Sequence, residues 1–145
     1  MSHETILYGM IDAGELERDT LNPHYALNQA ALDALGDEDD DPVLLRGMFS
    51  IAPPRARFSS QVIHFGASYE GLEKRWDRWL EKFEALLRTM YWFNAVVHLD
   101  SELFEGDYRY EWMLTDKAFD DCLIGDTLKP IYEWEFTGGP RLFDV

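Results

Sequence analysis

His98, Asp100, Glu102 and Glu111 come closest to a chemical constellation in this chain. Alternate residues of a strand point to one face, so the first three share a face if their segment is extended. Ala95 to Glu105 and Tyr108 to Leu114 both read as strands, and Gly106-Asp107 offers a two-residue turn with Gly first. That turn sets Glu105 opposite Tyr108 and Glu102 opposite Glu111. Val97, Leu99, Leu103, Tyr108, Tyr110, Trp112 and Leu114 then fall on a core side. An imidazole among carboxylates can hold a divalent cation. One reading is therefore a small metal-dependent enzyme using His98, Asp100 and Glu102, with His64 as a further candidate. The same face also reads as a solvated polar surface, or as an acidic docking surface for a basic protein. Like charges directly opposed weaken a hairpin, so Glu102 facing Glu111 is either a solvated cost or a feature kept for a ligand.

Other candidates are simpler. Asp37, Glu38, Asp39, Asp40 and Asp41 form an unbroken acidic run. It lacks the spaced ligands, central Gly and distal Glu of a calcium loop, so it reads as a solvated loop or a flexible acidic arm. Tyr132, Trp134 and Phe136 alternate with Glu133 and Glu135, which predicts a core-facing strand with an acidic outer side. Trp134 is also a candidate interface anchor, since Trp is enriched at binding hot spots. Cys122 lies beside Asp120 and Asp121, whose charge opposes thiolate formation, so it is not read as a nucleophile. No phosphate loop, dinucleotide fingerprint, nucleophile elbow, paired-cysteine zinc pattern or zincin helix occurs. The sequence names no cofactor and no catalytic residue.

The elements that must position these groups follow from periodicity. Ile6 to Ile11 is a first strand, ended by Asp12-Ala13-Gly14. Asn22-Pro23 starts a helix through Tyr25, Leu27, Ala31, Leu32 and Leu35 that Gly36 stops. Val43 to Ile51 is a second strand. Pro53-Pro54-Arg55-Ala56-Arg57 is a stiff connection, and Ser59 to Gly66 a third strand. Ser68 is a cap for the next helix. Leu72, Trp76, Trp79, Leu80, Phe83, Leu86, Leu87 and Met90 then recur at helical spacing. After the hairpin come a loop or short helix near Lys117 to Leu123 and a last strand from Ile131 to Phe136. Gly138-Gly139-Pro140 ends it. This order predicts one α+β domain over residues 1–145. Its sheet is mainly antiparallel with two principal helices on one face. Its core is ferredoxin-like, βαββαβ, with an added C-terminal strand.

Charge narrows the function. The 145 residues carry 28 acids against 13 Lys and Arg, a net charge of -15, yet 14% are aromatic. Disordered acidic chains are poor in aromatics, so this is a folded domain that tolerates self-repulsion. Its field opposes nucleic acid and anionic membranes and favours a basic partner. No apolar run approaches the ~20 residues of a membrane span. A single cysteine and an N-terminus without a signal pattern predict a cytoplasmic protein.

In size, charge and aromatic content the whole chain resembles the small acidic immunity proteins of bacteria, as a class. That resemblance implies a protein that neutralises a basic toxin domain by covering its working surface, and repulsion between two chains at -15 each predicts a monomer or weak dimer. The residues expected to meet the partner are Asp100, Glu102 and Glu111 first, the Asp37 to Asp41 run second, and Trp134.

Overall fold

A computed structural model describes residues 3–15, 23–51, 60–115 and 134–144. The protein is α+β, with a six-stranded antiparallel sheet and two helices. In chain order these are β1 (Glu4–Glu15), α1 (Pro23–Asp33), β2 (Phe49–Ile51), β3 (Ser60–Glu70), α2 (Trp76–Leu87), β4 (Asn94–Ser101), β5 (Gly106–Leu114) and β6 (Trp134–Gly138). The strand order is β2-β3-β1-β4-β5-β6, so β1 lies inside the sheet, between β3 and β4. Among the described residues no helix is long and apolar enough to cross a membrane.

Leu7, Ile11, Ile63, Phe65, Val97, Leu99, Tyr110 and Trp112 alternate out of the sheet into one core, where Leu32 of α1 and the apolar stripe of α2 meet them. The core is largely aromatic. Trp76 stacks on Trp79 at 5.1 Å and 9°, Trp79 on Phe83 at 5.1 Å and 15°, and Phe83 meets Trp112 edge-on. Each such pair adds about 0.5–1.5 kcal/mol beyond its area. Three buried indole N–H groups find acceptors inside. Trp79 donates to the Tyr69 hydroxyl, Trp92 to the Leu87 carbonyl and Trp112 to the Glu84 carboxylate. Asn28 of α1 is fully buried because three hydrogen bonds satisfy it. It donates to Gln61 Oε1 and to the Tyr91 carbonyl, and its Oδ1 accepts the Tyr91 amide.

Two buried phenols make this core sensitive to alkali. The Tyr69 hydroxyl donates to the Val43 carbonyl at 2.6 Å, and the Tyr110 hydroxyl to the Pro140 carbonyl at 2.7 Å. Burial pushes both up to about 12 from 10. Between those values the folded protein holds protons that the unfolded chain has lost. Their contribution to stability is whole below pH 10 and declines as pH rises toward 12. Phenolate absorbance should therefore rise in two steps, the second coinciding with loss of the aromatic near-ultraviolet circular dichroism. A single step with tertiary structure intact would contradict this placement.

Several elements differ from the sequence expectation. β1 does not stop at Asp12; it runs to Glu15, with Ala13 buried. The expected strand from Val43 to Ile51 is reduced to Phe49–Ile51 after a 3-10 turn at Arg46–Met48. The Leu44 amide goes to Asp39 Oδ2, the Arg46 amide to the Gly36 carbonyl and the Val43 carbonyl to Tyr69. Backbone groups engaged this way are lost to a ladder. β3 continues to Glu70, so Ser68 is a strand residue that donates to Glu4 Oε1 and caps nothing. Gly71, in the left-handed region at φ 62°, turns the chain into α2 instead.

The hairpin has another register. Ser101 pairs with Gly106 and Asp100 with Asp107, around a four-residue loop at Glu102–Glu105. Glu111 faces Val96 rather than Glu102. Two forces select this pairing. It sets Tyr108, Tyr110 and Trp112 opposite Leu99, Val97 and Ala95. It also lets Ser101 close the loop, accepting the Phe104 amide and donating to buried Glu73. Arg55, Arg57, the expected loop or short helix at Lys117 to Leu123, Cys122 and the start of the expected last strand, Ile131 to Glu133, lie outside the described residues.

Candidate functional site

Period-two alternation that sends Leu7, Leu99 and Tyr110 into the core sends their neighbours out the other way. The outward face carries Glu4, Ile6, Tyr8, Met10 and Asp12 from β1, flanked by His64, Ser68 and Glu70 of β3. Asn94, Val96, His98 and Asp100 of β4 continue it, then Asp107, Arg109, Glu111 and Met113 of β5 and Glu135 of β6. Three large apolar side chains on this face stand well into solvent: Ile6 at 42%, Tyr8 at 49% and Met113 at 46% exposure. Exposed apolar groups are ordinary singly; these three stand on one face of the sheet, Ile6 toward one end, Tyr8 in the middle and Met113 toward the other end.

The middle of the face is a cleft of about 650 Å³ lined by Tyr8, Met10, His64, Asn94, His98 and Arg109, among others. Tyr8 and His98 are directly opposed in the ladder, and their rings stack at 4.8 Å and 10°. Arg109 lies opposite His98 and donates to Glu111 Oε2 at 2.9 Å. The cleft thus offers an aromatic surface, imidazole nitrogens and an ion pair whose charges cancel. It is suited to holding a ring.

One end of the face is acidic. Glu4, Asp100, Glu102, Glu105 and Asp107 surround Ile6 in a second cleft of about 450 Å³. Asp100 and Asp107 oppose each other directly, so the like-charge pair expected at Glu102 and Glu111 is present one loop turn away, on different residues. Internal relief is slight. Ser68 donates to Glu4, and His3 Nδ1 lies 3.7 Å from Glu102.

The predicted residues are only partly brought together. Asp100 and Glu102 share the acidic cleft, while Glu111 lines the central one. His98, Asp100 and Glu102 do not converge: His98 is stacked on Tyr8, Asp100 faces Asp107 and Glu102 is in the loop. Among the described residues no group of three or more His, Cys, Asp and Glu is arranged to hold a metal. The run at Asp37, Glu38, Asp39, Asp40 and Asp41 is not a loose arm. Lys82 Nζ lies 2.8 Å from Asp39 and 3.2 Å from Asp40, Arg78 reaches Asp40, and Arg75 pairs with Asp41 at 2.7 Å. Burial alone would raise the Asp39 carboxyl, but the Lys82 ammonium and the Leu44 amide hold it below its ordinary value. Trp134 turns inward, half-buried, with Trp92 6.0 Å away and the Arg88 guanidinium over its ring at 5.0 Å.

Ile6, Tyr8 and Arg109 were not anticipated as site residues. Ile6 to Ile11 puts large side chains on both faces of one strand, but only the packing of the two helices decides which of those faces is left outward.

No family model, no curated protein and no solved structure matches the chain.

Proposed function

We propose that this protein is a binding module that docks a basic protein on the face of its sheet opposite α1 and α2. One observation carries the reading. Among the described residues, Ile6, Tyr8 and Met113 share that face with seven carboxylates, Glu4, Asp12, Glu70, Asp100, Asp107, Glu111 and Glu135, against the one guanidinium of Arg109. An apolar and aromatic centre inside a charged rim is the anatomy of a specific interface. The rim steers a cationic partner into contact and the centre holds it. The net charge of -15 extends that steering beyond the face itself. Neutralisation of a cognate toxin in the cytoplasm, by covering a basic working surface, is the physiological form we infer. We also read β2-β3-β1-β4 with the two helices as a ferredoxin-like split βαβ unit to which β5 and β6 are added; the antiparallel pairing of β1 with both β3 and β4 supports this.

The test is affinity capture at low and high salt, using the wild type beside an Asp100→Lys, Asp107→Lys variant. A stoichiometric basic protein held by the wild type through high salt and lost by the variant is the expected result. Equal recovery on both, or no specific protein on either, would overturn the assignment.

A further inference from the structure

The central cleft deepens that reading by specifying what the partner must insert. We infer that it receives one neutral aromatic side chain of the basic partner, from an extended segment that carries Lys or Arg two positions away. The inference rests on the docking face proposed above.

The cleft's own chemistry selects the ring. An anionic group is opposed by the carboxylates of the surrounding face. A cation would find no unpaired carboxylate among the lining residues, because Glu111 already accepts from Arg109. A neutral ring has neither cost. It finds the stacked Tyr8 and His98 rings, the Met10 thioether and the Val96 side chain. About 650 Å³ lies within the range of pockets that enclose small ligands, which is room for an indole or phenol. The exposed imidazole of His64 and the amide of Asn94 also line the cleft, and an indole N–H or phenol O–H can find a partner in them.

Strand geometry supplies the spacing. Tyr8 in the central cleft and Ile6 in the acidic one are successive outward residues of β1. Two residues of extended chain span about 6.7 Å. An extended partner segment lying along β1 repeats at the same interval on its inward side. Its residues i and i+2 therefore fall into the two clefts together, the aromatic one against Tyr8 and the basic one among Glu4, Asp100 and Asp107. Residues i and i+1 point to opposite sides and cannot do this.

Three blocked pentapeptides test the inference against the wild-type protein: Gly-Trp-Ser-Arg-Gly, Gly-Trp-Arg-Ser-Gly and Gly-Ala-Ser-Arg-Gly. Binding is followed by the NMR signals of the Ile6 methyls and the His98 imidazole. The first peptide should shift both sets saturably and bind at least about fivefold tighter than the other two, the gain expected of one aromatic contact. Equal binding of the alanine peptide, with shifts at Ile6 alone, would overturn the aromatic cleft and leave the acidic docking face standing. Equal binding of the adjacent-order peptide would overturn the spacing. Shifts at neither cleft with any peptide would overturn both the inference and the face.

Discussion

Gly9→Ala is expected to cost more than ~3 kcal/mol, at or beyond the upper end of ordinary overpacking. Against a typical net stability of about 5–15 kcal/mol, that leaves a marginal fold. Gly9 lies in β1 with Phe65 opposite it in β3 and Val97 opposite it in β4. Its missing side chain points to the core side, where the Phe65 ring crosses the strand. A Cβ there would lie 2.6 Å from Phe65 Cζ and 2.2 Å from the Val96 carbonyl oxygen. A ring can rotate away at some cost, but a carbonyl within the ladder cannot. Hence Phe65→Leu should rescue Gly9→Ala only in part. Gly66 is the internal control. It is exposed on the outward face of β3, and a Cβ there meets nothing closer than 3.4 Å. Gly66→Ala should fall within about 0.5 kcal/mol of wild type, as surface changes do. Urea denaturation of both variants checks the pair. Equal midpoints would show that Phe65 does not cross over Gly9.

The same strand shows how far the sequence could be read. α2 was legible because Trp76, Trp79, Leu80, Phe83 and Leu87 follow a 3.6-residue period that only one element type satisfies. The existence of the β4–β5 hairpin was legible from alternation, and so was the side on which Tyr110 and Trp112 fall. Its register was not. Shifting the pairing by an even number of residues keeps every side chain on its face, so alternation cannot distinguish the two pairings. The choice was made by Ser101 closing the loop onto Glu73, a residue 28 positions earlier in the chain. Tertiary contacts also decided the second strand, where Asp39 and Tyr69 take backbone groups of Leu44 and Val43. The acidic run reads as free in the sequence because its partners Arg75, Arg78 and Lys82 lie about 40 residues away, in α2 and the turn before it. For the candidate site, the face on which Asp100 falls could be read from strand alternation, whereas Glu102 lines the same cleft from the hairpin loop, which alternation does not describe. Ile6 and Tyr8 could not be read, because an apolar run gives no sign of which face will lack a covering layer.

Asp107→Lys should make the protein more stable and a poorer binder at once. In the free protein Asp107 faces Asp100 across the ladder, so a lysine there exchanges a like-charge pair for an opposite one. Cross-strand charge pairs of this kind are worth about 0.2–1 kcal/mol, and the melting temperature should rise accordingly. In the encounter with a basic partner, the same change removes attraction from the acidic cleft and adds repulsion. Adding Asp100→Lys returns a like-charge pair, now cationic, so the stability gain should vanish while the association defect deepens. Stopped-flow association with the captured partner should slow by about 10- to 100-fold at low ionic strength for the double variant, with a flatter salt dependence. At physiological salt the screening length is about 8 Å, so position should matter more than total charge. Asp37→Lys with Glu38→Lys makes the same change in net charge at exposed residues of the other acidic segment. That pair should slow association far less. Equal slowing by the two pairs would mean that net charge alone does the steering, and the face opposite α1 and α2 would lose its claim to the partner. A stabilised single variant that binds as fast as wild type would do the same, since the opposed Asp100 and Asp107 would then serve neither the fold nor the partner.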